Sequence, residues 1–345
     1  MRILLALLVT VLAVKPLSIG DFLTHPISDH ARQLRGQAIV DYVNSHQSLY
    51  KAKFSPDAEE FTMSRIMDLK YLSHADETVT EEDLDLSDEK IPERFDARDK
   101  WPQCDSIGFI RDQSKCGSCW AVTAAEVMSD RLCIRSNGTK KAHISDTDVL
   151  TCCGNECGNG CNGGWKHKAF EYAISTGVCT GGTYRMKGVC KPYPFYPCGQ
   201  YENQTVYGPC PKKLWGTPRC RKTCQLKYPV PYEKDKIHAE RSYRLPNNET
   251  IIKREIMTNG PVAASFEVHA DFSFYKEGIY KNKVFWPTGI HAVKIIGWGT
   301  ENGTDYWLIA NSWSTYWGEN GYFRILRGVN HCDIEHSVAA VTMAV

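Results

Sequence analysis

All fifteen cysteines of this 345-residue chain lie beyond residue 103, and all but Cys332 crowd between Cys104 and Cys224. Such a distribution divides the chain into a cysteine-free front and a part stapled by disulfides, which form and persist in an oxidising compartment. An odd count leaves at least one thiol unpaired in a monomer. Zinc is the competing use of Cys152, Cys153, Cys157 and Cys161. Zinc sites favour short paired spacings with a second matched pair, and none is evident here. Neither a metal nor a cofactor is expected.

The amino terminus agrees with export. Met1-Arg2 precede an apolar run from Ile3 to Val14, closed by Lys15-Pro16. That run is too short to span a bilayer and fits the core of a signal peptide, so residues 1–20 are read as signal. A buried helix is the plainer alternative. No later segment is long and apolar enough for a membrane anchor. Sequons begin at Asn137, Asn203, Asn248 and Asn302, which makes these asparagines candidate glycosylation sites. A secreted or lysosomal destination follows. The formal net charge of +1 gives no electrostatic case for nucleic acid or an anionic membrane.

Residues 21–90 read as a removable pro-segment, and residues 91–345 as a compact extracellular domain. Amphipathic helices are expected over 31–49 and 58–69, with Val40, Tyr42, Val43, Ile66 and Leu69 in their apolar stripes. The acidic stretch 76–89 reads as an exposed, cuttable linker. A small independent domain is the alternative for this front part. Cys119 to about Arg135 reads as a helix, and 152–224 as mostly loops. The last hundred residues, with runs such as Ala292-Val293-Lys294-Ile295-Ile296, read as antiparallel strands. Helices first and strands later give an α+β fold with two unlike halves.

The segment Gln113-Ser114-Lys115-Cys116-Gly117-Ser118-Cys119-Trp120 carries the chemistry. A cysteine at a helix start meets free N–H groups and the positive end of the helix dipole, which favour the nucleophilic thiolate. Gly117 lets a substrate backbone approach closely. Two other uses of Cys116-x-x-Cys119 stay open at this point, a thiol–disulfide redox pair and a structural pair. The C-G-[SA]-C-[WY] pattern is that of the papain and cathepsin proteases, and the chain resembles that family. The family's histidine and asparagine match His291 and Asn311, which lie 172 and 192 residues beyond Cys119. Both come late by about 40 residues against the family's usual spacing, so the extra chain falls before His291, in the cysteine-rich loops.

The resemblance implies a two-lobed fold, with a helical lobe at about 100–224, an antiparallel β lobe at about 225–345 and the active-site cleft between them. It implies that His291 takes the proton of Cys119, that Asn311 orients the imidazole, and that Gln113 donates to the oxyanion. Trp313 would shield the His291–Asn311 bond from water. Within the family the sequence is most similar to the cathepsin B branch, including digestive enzymes of parasitic worms. That likeness makes Asn162, Gly163 and Gly164 a substrate wall, and Ile290 and Ser337 parts of the second substrate subsite. It pairs Cys104 with Cys133, Cys116 with Cys161, Cys152 with Cys220, Cys153 with Cys157, Cys190 with Cys224 and Cys198 with Cys210. Cys119, Cys179 and Cys332 are left free.

Three departures refine the expectation. The occluding-loop-like region 190–224 has Gly199-Gln200-Tyr201 where cathepsin B carries two histidines that grip a terminal carboxylate. Endopeptidase action is therefore expected. Ser337 replaces a glutamate and Ile290 a glycine, which argues for an apolar second-position residue in the substrate. The expected partners are protein or peptide substrates, the chain's own pro-segment as inhibitor, and cystatin-type inhibitors, with the enzyme a monomer. The rival functions are a catalytically inactive binding protein and a thiol–disulfide oxidoreductase.

Overall fold

The computed structural model describes residues 31–72, 84, 89–199, 207–282 and 287–345. The signal-peptide reading, most of the acidic linker, Gln200, Tyr201 and Asn203 lie outside the described residues. Strands β1 (Tyr50–Ala52), β2 (Phe95–Asp96), β3 (Gly181–Gly182), β4 (Lys191–Pro192), β5 (Ala239–Arg244) and β6 (Val262–His269) come first. They are followed by β7 (Tyr275–Tyr280), β8 (Pro287–Glu301), β9 (Thr304–Ala310), β10 (Tyr322–Leu326) and β11 (Val338–Met343). The main sheet runs β1-β7-β10-β9-β8-β6-β11-β5, with β2 on β8, and only β7–β10 pair in parallel. Its apolar face closes over Phe266, Phe272, Trp298, Trp307 and Phe323.

The helical lobe forms around Cys119–Arg135, which is buried from Cys119 to Cys133. A helix covered on all sides needs partners for its polar residues as well. Asp130 meets Lys294 Nζ at 2.8 Å, and Arg131 meets Glu255 at 2.8 Å. Both bonds tie this helix to the β lobe. The core of the helical lobe also takes in Ala239, Ala339, Val341 and Met343, so the two lobes are not cut apart at one point of the chain. Six disulfides join the pairs named above, and Cys119, Cys179 and Cys332 remain free.

Some local expectations are corrected. Helix covers Gln37–His46 and Ala58–Met63 rather than the longer spans, and Leu69 is exposed, not buried in a stripe. Val40, Val43 and Ile66 do join the core, while Tyr42 only packs against it. The 152–224 region contains the helix Lys166–Ser175. The strand-rich end contains the helix Glu249–Asn259, capped by Asn248 Oδ1 on two backbone N–H groups and closed by Gly260 at φ 99°.

Candidate active site

Cys119 opens its helix, and its sulfur faces the backbone N–H groups of Cys119, Trp120 and Ala292. Ala292 follows His291 on β8, so the cleft brings the helix start and this strand together. Asn311 follows the last residue of β9, which pairs in register with Lys294 of β8. That register puts His291 Nε2 2.7 Å from Asn311 Oδ1. His291 Nδ1 makes no hydrogen bond among the described residues. The Trp313 ring lies 4.6 Å from the His291 ring, over the histidine–asparagine pair.

Gln113 is pinned in one orientation. Its Oε1 accepts from Ser312 Oγ at 2.7 Å and Trp313 Nε1 at 3.1 Å. Its Nε2 therefore points the other way, donating to the carbonyls of Cys116 and Arg65, both at 2.8 Å. Arg65 belongs to the segment before the cysteine-rich part, and that segment fills the cleft. Met67 and Ile290 exchange two backbone hydrogen bonds. Gly163, at φ 114°, has no room for a Cβ because the Tyr71 ring would be 2.4 Å away. At Gly117 a Cβ would strike the Cys161 carbonyl and crowd that of Ile66. Gly164 is fixed from inside the lobe, by the Cys157 carbonyl and the Trp120 ring.

The covering segment sets the electrostatics. Burial pushes the Cys119 thiol up to about 12 against the pull of its three N–H groups. Burial also pulls His291 down to about 4, which the Asn311 hydrogen bond only partly offsets. A low-dielectric site thus disfavours the charged form of both thiol and imidazole.

The other sequence candidates divide. Ile290 is fully buried and pairs with Met67, and Ser337 is buried. Asn162 is exposed on the turn Gly160–Asn162 and takes no part in the contacts above. Asn137, Asn248 and Asn302 are exposed. Cys179 sits with Cys190 and Asp235, but Cys190 is bridged to Cys224 and offers no second thiolate to a metal.

Sequence reasoning missed Lys166, whose Nζ donates to Ser265 Oγ and Ser337 Oγ, each at 2.9 Å. One signal was present. The helix starting at Lys166 reads Lys-His-Lys in its first turn, placing cations where the helix dipole disfavours them.

The papain family cysteine protease profile matches residues 91–342. The chain belongs to the papain family. Cathepsin B-like cysteine proteinase 1 of Ostertagia ostertagi is 46% identical over 313 residues, covering 90% of each chain. The gut-specific cysteine proteinase of Caenorhabditis elegans is 48% identical over 309 residues, covering 89% of this chain and 90% of the relative. Among solved structures, procathepsin B S9 of Trypanosoma congolense aligns with TM-score 0.72 and 35% identity, over 89% of this chain and 98% of its own. The chain is a cathepsin B-like cysteine protease of the papain family, in zymogen form, with a pro-segment that inhibits it and proteins as substrates. No described helix is long and apolar enough to cross a membrane.

Proposed function

We propose that the chain is a secreted or lysosomal endopeptidase whose nucleophile is Cys119 and whose base is His291. The observation that carries this reading is the placement of Gln113 Nε2. It already donates to a peptide carbonyl, that of Arg65, at the mouth of the Cys119 helix. A substrate carbonyl in the same place gains a negative charge when the sulfur adds to it. Gln113 Nε2 and the Cys119 N–H then hold the oxyanion.

His291 takes the Cys119 proton, the thiolate forms the carbon–sulfur bond, and the protonated imidazole gives its proton to the departing amine. Water, deprotonated by the same imidazole, then releases the carboxylic acid and restores the thiol. Asn311 keeps the ring facing the cleft throughout. Glycine at 163 and 117 leaves room for an extended peptide backbone, and Ile290 offers it strand-like pairing. Residues 21–90 act as the pro-segment, and cutting the acidic linker lets water reach Cys119 and His291.

Endopeptidase action is inferred from the Cys198–Cys210 loop, whose sequence has no histidine to grip a terminal carboxylate. Exposed sequons at Asn137, Asn248 and Asn302 suit an exported glycoprotein. Cystatin-type inhibitors suit the same cleft, and a monomer suffices for the chemistry. The test uses the processed enzyme on an internally quenched peptide with a free carboxyl terminus and on its amide. Equal rates are expected. A strong preference for the free carboxylate overturns the endopeptidase reading. Failure of a thiol-directed affinity label to attach to Cys119 overturns the catalytic assignment.

A further inference from the structure

Those assignments leave one buried charge unused. Lys166 is only 6% exposed, yet among the described residues its Nζ meets no carboxylate at hydrogen-bond distance. Lys115, Lys191 and Lys294 are buried too, and each has a carboxylate oxygen within 2.8 Å. Burying an ammonium without a carboxylate in contact costs stability, so a fold that does so only for packing would do better with an apolar residue.

The position of the amine is specific. Ser265 lies opposite Ala292 in the β6–β8 register, one residue beyond His291. Ser337 hands its backbone carbonyl to the Ser265 N–H at 3.2 Å. Lys166 itself stands two residues after Gly164, on the wall opposite Ile290. Met67 of the pro-segment lies between these walls. Its sulfur accepts from the Gly164 N–H at 3.4 Å, and its backbone pairs with Ile290. Burial, with Arg244 second, lowers the ammonium to about 7, while the Cys119 thiol and then the Asp333 carboxylate act on it in the opposite sense without touching it.

We propose that Lys166 is a specificity-determining residue, which receives the carboxylate of an aspartate or glutamate two positions before the scissile bond. The proposal rests on the protease reading above and names its substrate class. Two of the three Nζ donors are used by Ser265 and Ser337, which leaves one N–H for a ligand. Each serine oxygen accepts from Nζ and keeps its own O–H to donate. A carboxylate entering where Met67 leaves would meet an ammonium and two hydroxyls, a set matched to an anion. The apolar preference read from Ser337 and Ile290 took account of the charge lost and not of the charge gained.

The test uses processed enzyme at about pH 6, where a substrate glutamate is ionised and Lys166 is protonated. Four internally quenched peptides carry Glu, Gln, Leu or Arg at that one position. The Glu peptide is expected to exceed its uncharged isostere Gln in kcat/KM by roughly tenfold or more, as suits one charge-assisted hydrogen bond away from water. Lys166→Met should lower kcat/KM for Glu at least tenfold and raise it for Leu. Ser337→Glu, which gives the ammonium an internal partner, should bring the Glu-to-Gln ratio below one. That second variant decides the matter if Lys166→Met does not fold. Faster cleavage of Leu or Arg than of Glu by the unaltered enzyme overturns the proposal, as does a Glu-to-Gln ratio that neither variant moves. If no peptide is cleaved and the affinity label does not reach Cys119, the protease reading fails first and takes this preference with it.

Discussion

Lys166 and Lys294 are both buried between the two lobes, and they are held in opposite ways. Lys294, on β8, meets Asp130 at 2.8 Å and the carbonyls of Ser106 and Ile107. It fastens the Cys119 helix to the sheet. Lys166 has two hydroxyls and, among the described residues, no carboxylate in contact. The first charge is neutralised inside the fold. The second is satisfied only in part, in the cleft where a ligand is to come. A buried charge complete in itself argues for structure, and an incomplete one for binding.

Removing each lysine in turn separates the two roles. Lys294→Met strands Asp130 in the core and should cost about 3–5 kcal/mol in urea unfolding of the processed enzyme. Lys166→Met strands no charge, only the Ser265 and Ser337 hydroxyls, and should cost less, about 1–2 kcal/mol. Equal losses would make Lys166 a structural residue.

Glu126 is buried within the field of the Lys294–Asp130 pair. Both its carboxylate oxygens lack hydrogen bonds among the described residues, and burial raises it to about 7 despite Lys294 and Arg111. A carboxyl with a raised folded pKa holds its proton more tightly when folded. Stability therefore falls as pH rises from the unfolded value near 4.5 to about 7, by on the order of 3 kcal/mol. Glu126→Gln should flatten that fall, seen as a thermal midpoint that drops less between acid and neutral pH. A wild-type midpoint that does not drop over this range would contradict the shift.

A further effect concerns the segment that fills the cleft. Arg65 lies over the Phe61 ring at 3.6 Å and donates to the Cys198 carbonyl at 2.5 Å, holding the segment to the Cys198–Cys210 loop. Arg65→Ala should weaken that hold by about 1.5 kcal/mol. Alkylation of Cys119 in the unprocessed chain would then run roughly tenfold faster. An unchanged rate would mean that other contacts suffice.

Much of the site was legible because its parts are local. The Cys116-Gly-Ser-Cys119-Trp motif places its cysteine at a helix start without help from the rest of the chain. The motif at His291 lies on β8 and the one at Asn311 directly follows the neighbouring β9, 20 residues on in sequence. Helix limits were less legible, since Ala58–Met63 stops at Ser64 where the chain turns to cross the cleft, leaving Leu69 in water. The helices Lys166–Ser175 and Glu249–Asn259 lay hidden in stretches dominated by cysteines and by strand-like composition. Their apolar faces are short and are completed by distant partners, so period alone did not expose them.

Sequence by itself determined the family, the α+β class and which residues have the chemistry to cut a peptide, because these depend on residue type and short-range order. Only the tertiary structure decided the state of those residues. It put the Arg65 carbonyl on Gln113 and buried Cys119 and His291, which disfavours the charged form of each. It also brought Lys166, Ser265 and Ser337 together from three distant parts of the chain. Charge state and pocket chemistry depend on what lies within a few ångströms and on how much water remains there, and linear order specifies neither.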